Sequence, residues 1–386
     1  MAISYIGHWL PKVWQLIKKS DWVLTVTVLV LCSIGLLELW GLSLGASKES
    51  GNFFIKQVIF VGIGLVAMFV LGLADARIYK NHSLFLVTIY FFSLVALIVV
   101  LILGSKIRGM TGWFRFGEMG FAPVEAAKLI LILILAKYFS ARHVEVYRAR
   151  HIIISALYMA LPAVLVLRQP DLGSALILVL IWLGVVLLSG MKQRHLLIVL
   201  FLGFLVASLA WGFALKPYQK ERMLTFLNPS KDPLGYSYNL IQSKIAVGSG
   251  GAWGKGLGQG SQGQLNFLPE KHTDFIFSVF AEEWGFAGAL FLFATYLLFF
   301  YRLIKIIFIC SNNFFRLFVA GFAVMIFSQI FINVGMSLGI MPITGIALPF
   351  LSYGGSNLLI NFMALGIVQN IAMQSRGSVS NLSLEI

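Results

Sequence analysis

Asp274 is the residue best placed to do chemistry. It closes the polar run Glu270-Lys271-His272-Thr273-Asp274, and Phe275, Ile276 and Phe277 follow at once as the start of a long apolar segment. A carboxylate at the mouth of a membrane helix bears a desolvation cost, which makes it a functional-site candidate by default. A single carboxylate in a partly desolvated setting suits a general base that takes a proton from a hydroxyl group. Glu282 and Glu283 lie on the same segment but about 12 Å deeper, at about 1.5 Å per residue. That is too deep for a surface substrate, and these two acids are expected to pair with buried donors.

Other charged residues cluster around short polar intervals. Glu125 and Lys128 are three apart, so on a helix they share a face and can form a pair. Asp171, in Arg168-Gln169-Pro170-Asp171, stands where a helix should start and suits an N-cap. Cationic candidates for holding an anionic group are Lys128, Arg108, Arg115, Arg222, Lys244 and Lys271. His272 is assigned a positioning role, because a lone His272-x-Asp274 is a weak metal signal. No protein-bound metal or cofactor is expected, with a divalent cation left open. The glycine-rich run at 248–263 fails the Walker A pattern at Ser249 and Gly256, and its GxGxxG match has no preceding strand. It reads as backbone that can lie flat on a membrane or close to a ligand.

The elements that must position these residues are membrane spans. Of 386 residues, 59% are hydrophobic and 11% charged, with a mean hydropathy of +0.90, against about 25% charged in soluble domains. Apolar runs fall near 22–44, 53–73, 83–103, 122–139, 151–167, 171–189, 195–215, 274–301, 314–338 and 344–373. The expectation is an all-α polytopic membrane protein of about ten transmembrane helices. A single membrane domain should fill 1–386, with one long loop, 216–273, between the seventh and eighth spans. Residues 1–20 have the spacing of a short interfacial helix and not of a cleaved signal. Pro342 and Pro349 place helix breakers inside the last apolar run, and such backbone is tolerated where it is buried or lines a cavity. Ser352, within PFLSYGGS (349–356), joins Glu125, Asp171, His272 and the cationic set as the substrate-binding candidates. Gly335 and Gly339 form a GxxxG step suited to close helix contact. Cys32 and Cys310 read as packing residues.

The net charge of +14 does not signal nucleic acid, because the basic residues sit mostly in short connections. With the N-terminus inside, fifteen Lys and Arg residues fall in inner segments and six in outer short loops. That bias places both termini in the cytoplasm, and 216–273 with Asp274 on the outer side.

Four stretches carry a family resemblance: 168–177 (RQPDLGSALI), 222–256 (RMLTFLNPSKDPLGYSYNLIQSKIAVGSGGAWGKG), 265–288 (LNFLPEKHTDFIFSVFAEEWGFAG) and 341–356 (MPITGIALPFLSYGGS). The chain resembles the shape, elongation, division and sporulation (SEDS) family over nearly its whole length. Thr344-Gly345, where division-type members typically have Lys-Gly, places it nearer the elongation type. The resemblance implies a multi-pass protein of the bacterial cytoplasmic (inner) membrane that polymerises lipid II into glycan strands during elongation. It implies an essential acid in the HTD motif, here Asp274. It also implies lipid II, a lipid-linked nascent glycan and membrane lipid as partners, together with a class B penicillin-binding protein. Family members often have QRW and QPSE where this chain has Thr111-Gly112-Trp113 and Ala122-Pro123-Val124-Glu125. The Glu125–Lys128 pair carries over. The arginine at 112 does not, and Arg108 and Arg115 are the candidates to replace it.

Two other readings fit ten spans with buried charges: a transporter that flips the lipid-linked precursor, and a non-catalytic scaffold for a transpeptidase. A transporter should gather its charges near the midplane. The outer position of Asp274, together with the family resemblance, favours the polymerase.

Overall fold

A run of about twenty apolar residues in a bilayer has to satisfy its own backbone, which an α-helix does within the segment. The computed structural model describes residues 20–44, 48–107, 110–117, 119–142, 149–213, 217–228, 235 and 237–382. Helices α1 (Trp22–Ser43), α2 (Lys48–Leu73), the short α3 (Arg77–Asn81) and α4 (Ser83–Leu103) come first. After a small sheet follow α5 (Pro123–Ser140), α6 (Ala149–Arg168), α7 (Leu172–Leu188) and α8 (Gln193–Phe213). The interval before the eighth span holds α9 (Pro217–Leu227), α10 (Tyr238–Ser249) and α11 (Ser261–Gln264). The chain then runs through α12 (Ile276–Ile309), α13 (Asn313–Ser337) and α14 (Gly355–Leu382).

Among the described residues, eight helices are long and apolar enough to cross a membrane. The other two segments read as spans are also helical. α5 carries Glu125, Lys128 and Lys137, and α7 is an apolar helix of 17 residues. The chain is therefore a mostly helical, multi-pass membrane protein, and the interval read as a loop is itself partly helical. The sheet adds a feature to the all-α expectation: β1 (Ser105–Ile107), β2 (Met110–Phe116) and β3 (Met119–Phe121) pair antiparallel. Too polar to span, this stretch satisfies its backbone laterally. The interfacial helix expected at the N-terminus falls on residues 1–19, outside the described residues.

α5, α13 and α14 form the buried centre, while none of the described residues of α8 is buried. α2 and α14 approach closely at Gly366, where an added Cβ would stand 2.5 Å from Met68 O. At one end of the bundle the buried Asp21 caps α1 by accepting from Leu24 N (3.1 Å). The same carboxylate accepts from Arg302 Nε (3.0 Å) on α12 and Arg376 Nη2 (2.7 Å) on α14. Two arginines from different helices keep this buried charge compensated.

α12 would be about 51 Å long as one regular helix, well beyond a hydrocarbon core of about 30 Å. It is interrupted at Gly285 (φ 65°, ψ −162°). The glycine-rich run supplies the hydrogen bonds lost there. Lys255 N and Gly256 N donate to Glu282 O (3.0 Å) and Glu283 O (2.9 Å), and Phe286 N and Ala287 N donate to Gly251 O and Ala252 O. Gly254 (φ 76°) has to be glycine, since a Cβ would overlap the Glu283 carbonyl. The acids at the break find the expected donors: Glu282 accepts from Lys255 Nζ (2.6 Å) and Ser261 Oγ (3.1 Å), and Glu283 from Gly258 N (2.8 Å).

The GxxxG reading fails. α13 stops at Ser337, and Gly339 (φ 74°) lies in the following turn. Met341 folds back over Gly335, 3.1 Å from a Cβ placed there, so the pair forms no helix–helix seam.

Candidate functional site

Asp274 sits one residue before Phe275, the N-cap of α12. Its backbone is held from two directions. Tyr353 N donates to His272 O (2.8 Å), Ser352 Oγ to Thr273 O (2.6 Å) and Asn333 Nδ2 to Asp274 O (2.9 Å). Asn333 Nδ2 also reaches Ile346 O (2.7 Å). Three consecutive carbonyls of the HTD segment are thus tied to α13 and to the irregular backbone that joins α13 to α14. A Cβ at Gly345 (φ 74°) would stand 3.4 Å from Asp274 Oδ2, so the carboxylate lies against backbone that carries no side chain.

Asp274 opens onto a cavity of about 600 Å³. From α5 come Glu125 and Lys128, from β2 Arg115, and from the α6–α7 turn Asp171. Lys128 is 1% exposed and its Nζ donates to Glu125 Oε1 (2.6 Å); Glu125 is 15% exposed. The second carboxylate oxygen of Glu125 accepts from Asn357 Nδ2 (2.8 Å), which ties α5 to α14. Asp171 is the N-cap of α7, accepting from Ser174 N (2.9 Å), and lines the cavity as well. The cavity therefore combines acids and cations in one partly buried space, where electrostatic interactions are stronger than in water.

The remaining candidates divide. Ser352 is occupied with the Thr273 carbonyl and with Leu348 N (2.8 Å), which makes it a positioning residue. Lys271 turns inward to Gly263 O (2.5 Å) and Asn266 Oδ1 (2.7 Å) and does not line the cavity. Burial lowers the pKa of its ammonium. His272 stacks on Phe53, ring centroids 4.7 Å apart. Burial, reinforced by Lys271, lowers its imidazole to about 4, so at neutral pH it is no cation for an anionic ligand. Lys244 is exposed on α10, its stem near Gly339, and lies outside the cavity lining. Arg108 and the side chain of Arg222 lie outside the described residues. Among the described residues no three His, Cys, Asp or Glu side chains gather to hold a metal ion.

The cavity also holds residues that the sequence reading did not single out as site residues: Lys56 on α2, Glu270, Gln329 on α13 and Asn357 on α14. Gln329 and Asn357 are amides within long, mainly apolar helices, the signal by which they could have been found.

Glu125 and Lys128 generate a direct test. Removing either partner leaves a buried charge unpaired, which typically destabilises by about 3–5 kcal/mol. Thermal unfolding in detergent should show Glu125→Gln with Lys128→Met to be no less stable than the worse single variant. Strictly additive losses would mean that the two side chains act separately.

Known proteins resemble this chain in sequence and in fold. Residues 21–377 match the FtsW/RodA/SpoVE family model, described as a cell cycle protein. The peptidoglycan glycosyltransferase MrdB of Escherichia coli K12 is 35% identical over 361 residues, 92% of this chain and 95% of that protein. Stage V sporulation protein E of Bacillus subtilis is 35% identical over 367 residues, 93% of this chain and 99% of that protein. A chain solved in a study of how a peptidoglycan synthase complex coordinates polymerisation and crosslinking superposes with a TM-score of 0.79 at 35% identity. That match covers 92% of this chain and 98% of the other. The rod shape determining protein RodA of Thermus thermophilus superposes at 0.67 with 31% identity, covering 92% and 96%. The chain belongs to the FtsW/RodA/SpoVE family, as a RodA-like peptidoglycan glycosyltransferase.

Proposed function

We propose that this glycosyltransferase polymerises lipid II at the outer face of the cytoplasmic membrane, with Asp274 as general base. The observation that carries the proposal is that Asp274 shares one cavity with Lys56, Arg115 and Lys128. Chain extension needs a base at the acceptor 4-hydroxyl and positive charge at the departing diphosphate, and this set of residues supplies both.

In the reaction Asp274 takes the proton of the acceptor hydroxyl as its oxygen bonds to the donor's anomeric carbon. The bond from that carbon to the lipid diphosphate breaks, and the diphosphate leaves with the bonding pair. Lys56, Arg115 and Lys128 stabilise the charge that develops there, as preorganised donors do in a partly desolvated site. Glu125, accepting from Lys128 Nζ, holds the lysine in place. Asp171 ends the α6–α7 turn and holds the start of α7.

The flippase reading has less support. Glu125, Asp171 and Asp274 all stand at or just before helix starts, whereas a transporter gathers its charged groups near the midplane. On the proposed topology both termini are cytoplasmic and 216–273 is external. A class B penicillin-binding protein is the proposed crosslinking partner, supported by the similarity to a chain from a polymerising and crosslinking complex. This reading makes the chain a single membrane domain.

Two measurements check the proposal. Asp274→Asn keeps size but removes the base, so polymerisation of purified lipid II should fall about 10²–10⁴-fold with folding intact. Wild-type rates from that variant would remove Asp274 from the mechanism. Both native cysteines are buried, and Gln259 is exposed. A cysteine at Gln259 should therefore react with an impermeant reagent in intact spheroplasts. Reaction only after permeabilisation would reverse the orientation.

A further inference from the structure

Gln329 stands out from its surroundings. It lies on α13 four residues before Asn333, so the two amides share a helix face about 6 Å apart along the axis. Asn333 holds the Asp274 carbonyl. Gln329 is 0% exposed and lines the same cavity as Asp274. Neither Nε2 nor Oε1 has a hydrogen-bond partner among the described residues. Burying an amide with both ends unpaired is unfavourable, and native interiors rarely leave one so. An unpaired amide facing a cavity is therefore held ready for something that enters it.

The chemistry of the amide narrows the ligand. A glutamine side chain offers two N–H donors and one carbonyl acceptor. A diphosphate only accepts, so it would satisfy Nε2 and leave Oε1 unpaired. An acetamido sugar carries a carbonyl acceptor beside N–H and O–H donors on one rigid ring, and can satisfy both ends together. Gln329 is also neutral, whereas the cavity's cations Lys56, Arg115 and Lys128 already provide for anionic groups.

We infer that Gln329 is a specificity-determining residue that binds the acetamido-bearing ring of the lipid-linked sugar lying against α13. The inference rests on the lipid II reading above. Its content is selectivity: the enzyme should prefer sugars that carry the acetamido group, and Gln329 should be the source of that preference.

The test compares polymerisation of lipid II with that of an analogue whose 2-acetamido groups are replaced by hydroxyl. Wild-type enzyme should favour the native substrate by roughly tenfold or more in kcat/KM, the scale of a lost hydrogen bond with a buried partner left unpaired. Gln329→Leu, similar in size but unable to hydrogen-bond, should raise KM for native lipid II and bring the preference close to one. Gln329→Glu keeps shape and acceptors, removes the donors, and should narrow the preference as well. Equal use of both substrates by the wild-type enzyme would overturn the inference whatever the variants do. So would variants that slow both substrates equally and keep the wild-type preference, since a packing or diphosphate role predicts that pattern. Failure of the wild-type enzyme to polymerise native lipid II would instead sink the lipid II reading on which the inference rests.

Discussion

The site depends on one constraint: a non-helical strand of backbone at the rim of a membrane bundle needs partners for its carbonyls. His272, Thr273 and Asp274 cannot bond within a regular helix, and water is scarce in a half-buried cavity. Tyr353 N, Ser352 Oγ and Asn333 Nδ2 satisfy the three in succession. The segment that provides two of these donors is itself irregular, with Phe350 and Gly345 at positive φ. Two unwound stretches thus satisfy each other, and their meeting fixes where the Asp274 side chain points. The hydrogen-bond demand that would destabilise either stretch alone becomes the means of positioning the Asp274 carboxylate.

The same logic operates at the break in α12. The glycine-rich run supplies main-chain donors and acceptors to the interruption at Gly285, while Lys255 and Ser261 compensate the buried Glu282. The buried acids further along α12 are therefore structural, while Glu270 and Asp274, just before the helix, line the cavity. Elsewhere in the cavity lining Glu125 compensates the charge of Lys128, and Asn357 holds Glu125. Breaking such a pair leaves an uncompensated charge, so its members hold one another in place.

Much of this was legible in the sequence because membrane physics leaves few options. Apolar run length marked the spans, and the three-residue spacing of Glu125 and Lys128 marked their pairing. Asp171 could be read as an N-cap from its place after a turn, and Pro342 and Pro349 announced the unwound segment that became the clamp. What was not legible depends on which way a side chain turns once distant segments meet. Lys271 and His272 flank Asp274 in sequence yet turn to Gly263 and Phe53, while Lys244 stays outside the cavity. Lys56 and Gln329 reach the cavity from α2 and α13, where a polar residue in an apolar run does not show which way it faces. The 105–121 hairpin was hidden by its short, glycine-interrupted strands, and the GxxxG pair was misread because the helix ends before Gly339.

The claim that the clamp acts by positioning the base is tested most directly by a double-mutant cycle between Asn333 and Asp274. Asn333→Leu keeps the side chain's size and removes the donor to the Asp274 and Ile346 carbonyls. The quantity to measure is the initial rate of glycan formation from purified lipid II, with thermal unfolding as a check on folding. If Asn333 works through Asp274, the leucine variant should lose roughly tenfold or more in an otherwise wild-type protein. It should lose almost nothing further once Asp274 is asparagine, because residues that act as a unit are not additive. An equal loss from Asn333→Leu in both backgrounds would contradict the account and reduce the clamp to packing.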